Sequence, residues 1–270
     1  MFYEVDFKSD DRDPLQTRLN EICDYANDVE TKVLHRARMN LFFLLVQDLV
    51  RTGWIREFGS ALDIGCNTGV YSKIISDFGF ERVEGIDIVP AMIDAANRTF
   101  GSADPMRTIE FRLENAEELD TTKKYDFILC TEVIEHTARP ELVIANIKAM
   151  LSPNGVAVVT LPNAWSLPYQ VANLAYRIKR PPRNLEFEDH MKFPVARSLR
   201  MIEGGETRIV RTDGTNLLLE THLLRLLHGS PLFAPFNRLQ FALARAWPLK
   251  FFSQFFFMVL VRKDRPDPRP

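Results

Sequence analysis

From about residue 60 onward, short apolar runs alternate with stretches in which apolar residues recur every three or four positions. SALDIG, VEGIDI, TIEFRLE, KYDFILC and GVAVVTL are the short runs; VYSKIISDFGF, PAMIDAANRTF and PELVIANIKAMLS stand among them. Short β-branched runs read as strands, and the longer period reads as amphipathic helix. Their alternation predicts a parallel sheet with helices on both faces, since each crossover lays a helix over the strands it joins. Gly79, Gly85, Pro90, Pro140 and the PNG at 153–155 fall where turns are required.

Ahead of this core, residues 15–58 carry helical spacing, notably through LFFLLVQDLVRTGWI, and predict two amphipathic helices. Past residue 163 the alternation stops. YRIKRPPRNLEFEDHMKF, basic, proline-broken and then acidic, reads as a loop or cap insert. SLRMIEGG reads as a short helix with a glycine stop, and TRIVRT as a strand. THLLRLLHGSPLF and FNRLQFALARAW read as helical pieces, and FFFMVLVRK as a final strand. The expected division is an N-terminal helical segment (1–57), a ligand-binding core (58–163), and a cap or acceptor-binding insert (164–250). A final strand (251–264) then completes the core sheet, ahead of a disordered proline-rich tail (265–270).

Composition narrows the classes. With 46% hydrophobic and 26% charged residues the chain reads as a soluble globular protein, and its net charge of −2 gives no global reason to expect nucleic acid or an anionic membrane. Cys23, Cys66 and Cys130 are scattered, so neither a disulfide framework nor a cysteine-based zinc site is suggested. The opening residues lack a signal-peptide pattern, and FFFMVLV is far short of the roughly 20 residues that span a bilayer. These features predict a cytoplasmic protein.

Candidate chemistry gathers at two strand ends. ALDIGCNTGVYS is strand, tight turn and helix, with Gly65, Cys66 and Gly69 placed where backbone can approach a ligand and the helix offers free N–H groups. VEGIDIVP then ends the next strand with Asp87, an acid able to accept both hydroxyls of a ribose. The pair predicts an adenosine site. The spacing from Gly65 to Gly69 misses the dinucleotide pattern, and Asp63 beside the turn suits a ligand bearing an ammonium or sulfonium rather than a pyrophosphate. TEVIEH, behind the apolar run FILC, crowds Glu132, Glu135 and His136 at i, i+3 and i+4, so one helical turn would point all three the same way. The plainer reading of that hexapeptide is a solvated helix start with acids near the positive end of the dipole.

DIGCNTG, GIDIVPAMI, ENAEEL, YDFILCTEVIEH and LSPNGVAVVTLPN, in that order over residues 58–163, resemble the successive motifs of class I S-adenosylmethionine-dependent methyltransferases. The similarity is nearest to the branch with the ubiquinone-biosynthesis O-methyltransferases and related small-molecule enzymes. Asn67 stands where the commonest form of the first motif has its middle glycine. The resemblance implies an α/β, Rossmann-like fold, with a seven-stranded, mostly parallel sheet whose last strand, FFFMVLV, is antiparallel. It places Asp63, Gly65, Cys66 and Gly69 at the methionine end of S-adenosyl-L-methionine and Asp87 at its ribose. Ile88 and Met92 would flank the adenine, Asn115 and Ala116 its ring edge, and Cys130 and Thr131 would sit beneath the methionine portion. Ile88, Met92 and Ala116 read equally well as core.

The expected reaction is methyl transfer to a small-molecule or lipid-like acceptor at a hydroxyl oxygen, with His136 and Glu135 as catalytic candidates because the acceptor's proton must leave. RIKRPPR at 177–183 suits an anionic acceptor group or a solvated loop, and the phenylalanine-rich carboxy-terminal third suits core or a lipophilic pocket. A divalent metal held by Glu132, Glu135, His136 and His190 is a competing arrangement to a metal-free site with His136 as base. It accompanies an alternative resemblance to RNA 2′-O-methyltransferases, which share an ExxEH element. A non-catalytic S-adenosylmethionine-binding protein is the remaining alternative.

Overall fold

The computed structural model describes residues 29–104, 107–171, 174, 193–215, 217 and 232–268. The chain opens with α1 (Val29–Arg51), whose buried stripe of Leu41, Phe42, Leu45, Val46 and Leu49 faces the sheet. Two helices were expected here. In the described part there is one, and it stops at Arg51 because Gly53, at φ 76°, turns the chain away, so TGWI lies outside it. The remainder of the expected pair, residues 15–28, lies outside the described residues.

The core then runs β1 (Ser60–Ile64), α2 (Val70–Asp77), β2 (Arg82–Asp87), α3 (Pro90–Phe100), β3 (Ser102–Asp104), β4 (Arg107–Leu113) and β5 (Tyr125–Thr131). A 3₁₀ turn (Ile134–His136) leads to α4 (Pro140–Met150) and β6 (Leu151–Pro162). After it come α5 (Val195–Ile202), β7 (Thr207–Thr215), α6 (Phe233–Arg245), a second 3₁₀ turn (Leu249–Phe252) and β8 (Phe255–Arg262). Proline opens both α3 and α4, where its missing N–H costs nothing.

These strands form an eight-stranded sheet in the order β3-β4-β2-β1-β5-β6-β8-β7. β4, β2, β1, β5 and β6 are mutually parallel, and β8 runs antiparallel to both β6 and β7. The antiparallel FFFMVLV strand is as the resemblance implied. The eighth strand, β3, is a three-residue addition that pairs antiparallel with β4 at the edge. One face of the sheet packs under α1, α2 and α3 through Phe42, Ile75, Phe80 and Phe127; the other packs under α4 and α5 through Ile144, Ile147, Ile202 and Met258.

Two expectations for the carboxy-terminal part are corrected. The segment 164–250, taken as cap, contributes β7 to the main sheet, because its TRIVRT alternation pairs along the full length of β8. The tail is not loose through its first residues. Arg265 is buried, its guanidinium donating to the carbonyls of Gly155 (3.1 Å) and Trp54, and Arg208 pairs with Asp267 at 2.5 Å. A buried guanidinium bonded to two backbone carbonyls ties the chain end across the sheet. Arg265→Ala should therefore lower stability by about 1–3 kcal/mol, since it strands both carbonyls. Asp267→Ala, at an exposed pair, should change it by less than about 1 kcal/mol. Urea unfolding of the two variants tests this; equal effects would show that Arg265 is not an anchor.

Candidate active site

The strand order reverses beside β1. The chain leaves β1 for β2 on one side, and later crosses to β5 on the other, which opens a crevice at the carboxyl ends of these strands. A cavity of about 460 Å³ occupies it, within the range of small-molecule sites. Its walls come from the loop after β1, the ends of β2 and β4, the TEVIEH segment after β5, and one turn of α1.

The glycine turn forms the first wall. Gly65 and Cys66 donate their N–H groups to the Ile86 carbonyl at 2.8 and 2.9 Å, which holds the turn against β2. Gly65 has φ 73°, and a Cβ there would come within 2.2 Å of Val133 Cγ2 across the crevice. Gly69, at φ 85°, caps α2, and a Cβ on it would meet the Phe111 ring at 2.5 Å. Both glycines are thus required by conformation and by space. Asp87 clasps the turn from below: one carboxylate oxygen accepts from the Asn67 N–H and the other from the Val89 N–H, both at 2.9 Å. Each oxygen retains a lone pair for a ligand hydroxyl.

Of the residues expected to hold the cofactor, Gly65, Cys66, Asp87, Ile88, Asn115, Ala116 and Thr131 line this one cavity. Ile88 is 67% exposed, so it is not core; an apolar side chain left open beside Asp87 suits the face of an aromatic base. Asp63, Gly69, Met92 and Cys130 do not line the cavity. Asp63 is buried beneath the turn and accepts from the Ser72 hydroxyl at 2.7 Å, fastening α2 to β1. Cys130 is fully buried within the sheet, where desolvation raises its thiol pKa and keeps it neutral.

TEVIEH does not behave as one helical turn. Glu132 sits at φ 54°, and the 3₁₀ turn starts only at Ile134, so the expected i, i+3, i+4 alignment is lost. The Glu132 N–H donates to Thr160 Oγ1 (3.1 Å), the Thr160 hydroxyl donates back to its carboxylate (2.9 Å), and Arg38 pairs with it at 3.5 Å. Glu135 turns inward and is buried, with its carboxylate 3.9 Å from His136 Nε2, beyond a hydrogen bond. His136 alone of the catalytic pair reaches the cavity. Glu132 lines the cavity beside Arg38 while Glu135 is buried away from it, so the two carboxylates of the competing metal arrangement stand in different surroundings. No group of three or more His, Cys, Asp and Glu able to hold a metal exists among the described residues, and His190 and the RIKRPPR patch lie outside them.

Several lining residues were not expected. Arg38 and Met39 come from α1, about a hundred residues before TEVIEH, and no local signal in the sequence marks them. Arg38 also stacks over the Phe255 ring, 4.4 Å from its centroid. Glu117 follows the expected Asn115 and Ala116 by one position. Its carboxylate accepts from the N–H groups of Ala138 (2.8 Å) and Arg139 (3.2 Å) and from the Arg139 guanidinium (2.9 Å). That guanidinium and those N–H groups hold its pKa below the usual carboxylate range and latch the loop after β4 to the loop carrying His136. Tyr71 lines the cavity with its phenol pushed up to about 12 by burial, so it stays a neutral hydrogen-bonding group.

Comparison with known proteins now decides the family. A family model described as a methyltransferase domain matches residues 34–202. The chain belongs to the class I S-adenosylmethionine-dependent methyltransferases. The chain is 30% identical over 134 residues to the ubiquinone biosynthesis O-methyltransferase of Rickettsia akari, covering 49% of this chain and 51% of that protein. It is 32% identical over 124 residues to the enzyme of that name from Bradyrhizobium diazoefficiens, covering 45% and 48%. The chain thus spans about half the length of the curated relatives it matches. In fold it is similar to the magnesium protoporphyrin IX methyltransferase of Synechocystis PCC 6803 with bound SAH, at TM-score 0.61 and 15% identity, over 87% of this chain and 88% of that one. The cavity of this methyltransferase fits its cofactor class: glycines leave room for a close ligand, Asp87 has free lone pairs, and the buried Thr68 hydroxyl has no partner among the described residues.

Burial also sets a pH dependence. Desolvation, with the Asp87 charge adding to it, raises the Asp63 pKa to about 7 against the smaller opposing effect of the Ser72 hydrogen bond. Between the unfolded value of 3.8 and about 7, the folded chain holds a proton that the unfolded chain has released. Asp63 therefore stabilises the fold fully below the lower value, and that contribution is lost as pH rises through the upper one. Asp63→Asn should gain stability relative to the parent from pH 4 to 7 and level off above it, by up to about 4 kcal/mol. Urea unfolding across that range checks this; a difference independent of pH would place Asp63 in its ordinary range.

Proposed function

We propose that this methyltransferase transfers the methyl group to a hydroxyl oxygen of a small-molecule or lipid-like acceptor, with His136 as general base. The observation carrying this reading is that the imidazole of His136 shares one cavity with the glycine turn and Asp87. S-adenosylmethionine, when bound, supplies a methyl group already activated by its sulfonium, so alignment and removal of one acceptor proton are what remain for the protein. In the proposed arrangement Asp87 accepts the ribose hydroxyls, Ile88 and Ala116 flank the adenine, and Arg38 meets the carboxylate of the methionine portion. Glu132 holds Arg38 in place for that task. Asp63, Gly69 and Cys130 support the turn and strand from beneath, without touching the ligand.

His136 is half exposed at the cavity wall, on a turn held by its own N–H to the Val133 carbonyl (2.9 Å) and by the Glu117 latch. It is placed to take the acceptor's proton as the oxygen forms its new bond to carbon. Glu135, buried behind it, serves as a positioning residue in this reading. The O-methyltransferase names of the matched relatives support oxygen as the nucleophile, and the apolar lining from Met39, Val70, Ile86 and Val133 supports a lipophilic acceptor.

Asp87→Asn should weaken S-adenosylmethionine binding by about 1.5–3 kcal/mol in titration calorimetry, the scale for losing charge-assisted hydrogen bonds. Unchanged affinity would remove Asp87 from the ribose site. His136→Ala should lower kcat by about 100-fold or more with cofactor affinity preserved, and full turnover of the parent should survive a chelator. Extracts of lipid-soluble and water-soluble phenols provide the acceptors for this assay, read as S-adenosylhomocysteine formed. Activity that persists in His136→Ala, or returns after chelation only on adding a divalent metal, would overturn the metal-free base.

A further inference from the structure

The two neighbouring glutamates of AEEL have opposite surroundings. Glu118 is exposed, whereas the Glu117 side chain is only 9% exposed and forms part of the cavity wall. Glu117 stands on the loop after β4, directly behind Asn115 and Ala116. A backbone bond from the Glu114 N–H to the Asp87 carbonyl, at 3.0 Å, joins the start of that loop to the end of β2. Asn115 then closes a tight turn. Its side-chain oxygen accepts from the Glu117 N–H and its carbonyl from the Glu118 N–H, both at 3.0 Å. The turn sends the Glu117 carboxylate across to the next loop.

The partners it meets there, the N–H groups of Ala138 and Arg139, lie two and three positions beyond His136. Arg139 is the capping residue of α4 and makes no side-chain cap bond, so its N–H is one of the donors that a helix start leaves open. Glu117 satisfies it from another strand's loop, and the Arg139 guanidinium adds a third bond to the same carboxylate. Hydrogen bonds to an ionised group are about twice as strong as neutral ones, so three on one carboxylate make a stiff strut. α4 grips the loop a second time, through Asn146 Nδ2 donating to the Ala116 carbonyl at 3.0 Å. The loop beside the adenine wall and the turn carrying His136 are therefore fastened to one helix, and Glu117 is the strut between them.

We propose that Glu117 is a positioning residue that couples the two halves of the site: adenine seated beside Asn115 and Ala116 stills the loop, and the Glu117 bonds pass that order to the turn carrying His136. The base is then held in place only when a cofactor is bound. This inference rests on the adenine placement and the base role given under the proposed function.

The test uses adenosine, which fills the ribose and adenine part of the site and leaves the methionine part empty. Amide hydrogen exchange, followed by NMR, reports on the loop at Glu114 and Glu118 and on the turn at Ala138 and Arg139. In the parent, and in Glu118→Ala as a control, adenosine should slow exchange at all four by about fivefold or more. In Glu117→Ala it should still slow Glu114 and Glu118, since Asn146 keeps its hold, and leave Ala138 and Arg139 unchanged. Slowing confined to the loop in the parent overturns the coupling, as does slowing at all four amides in Glu117→Ala. No response at Glu114 and Glu118, even with S-adenosylhomocysteine, overturns the adenine placement and the inference with it, a failure recognised by where the response is missing. Glu117→Gln, whose amide oxygen can keep the two N–H bonds, should retain part of the response and replaces the alanine variant should that variant not fold. Turnover of the phenol extracts supplies the second reading. Glu117→Ala should lower kcat about tenfold in the parent but less than about twofold in His136→Ala, because a residue acting through the base has nothing to position once the base is gone. Equal losses in both backgrounds would overturn the positioning role. Full turnover in His136→Ala would remove the base assignment, and the exchange result would then decide the coupling by itself.

Discussion

One topological constraint organises the site: β1 has the next strand in sequence, β2, on one side and, after the chain crosses back, β5 on the other. Loops leaving two adjacent parallel strands for opposite faces cannot close over the gap between them. The gap must be lined instead, and here the glycine turn lines one wall and TEVIEH the other. The two walls meet at Gly65, where the absent Cβ admits Val133, so this contact and the β1–β5 pairing set how closely they approach. Asp87 holds the outer side of the turn, Phe111 fills the space under Gly69, and Glu117 draws the loop after β4 towards the His136 turn.

The legible part of the sequence was the part governed by local rules. Strand and helix periods, prolines at helix starts and glycines at tight turns each act within a few residues, and they place all the core elements except β3. Asp87 was also legible, because its distance from the turn is set by one helix and one strand. What escaped detection is non-local. Arg38 enters the cavity because α1 packs across the sheet, and Arg265 is buried because the tail returns to Trp54 and Gly155. Neither carries a sequence signal, since arginines on a helix face and in a proline-rich tail ordinarily face water.

TEVIEH shows how a correct local inference fails when one dihedral changes. Spacing of three and four residues aligns side chains only if every intervening residue is helical. Glu132 is left-handed, a conformation costly for a residue with a Cβ, and it is held there by exchange of two hydrogen bonds with Thr160 on the neighbouring strand. That exchange turns Glu132 towards Arg38 and leaves Glu135 and His136 to be distributed by the tighter 3₁₀ turn. Three titratable groups that the sequence crowds together are thereby assigned three surroundings: an ion pair, a buried site and the open cavity.

The charges left around the cavity explain its choice among adenosine ligands. Among the described residues, Asp87, Glu114, Glu117 and Glu132 line it against the single guanidinium of Arg38. Glu117 is committed to Arg139, Glu132 to Arg38 and Glu114 to Arg112, while Asp87 adds negative potential beside the turn. A dinucleotide would bring a pyrophosphate to this wall and meet repulsion at every approach. S-adenosylmethionine brings a sulfonium and an ammonium, charges that an acidic wall accommodates. Asp63 beneath the turn belongs to the same field: after burial itself, the neighbouring Asp87 charge adds to the rise of its pKa to about 7. A cation bound in the cavity weakens the repulsion between them. Ligand charge and the ionisation of Asp63, buried beneath the turn, are therefore linked through Asp87.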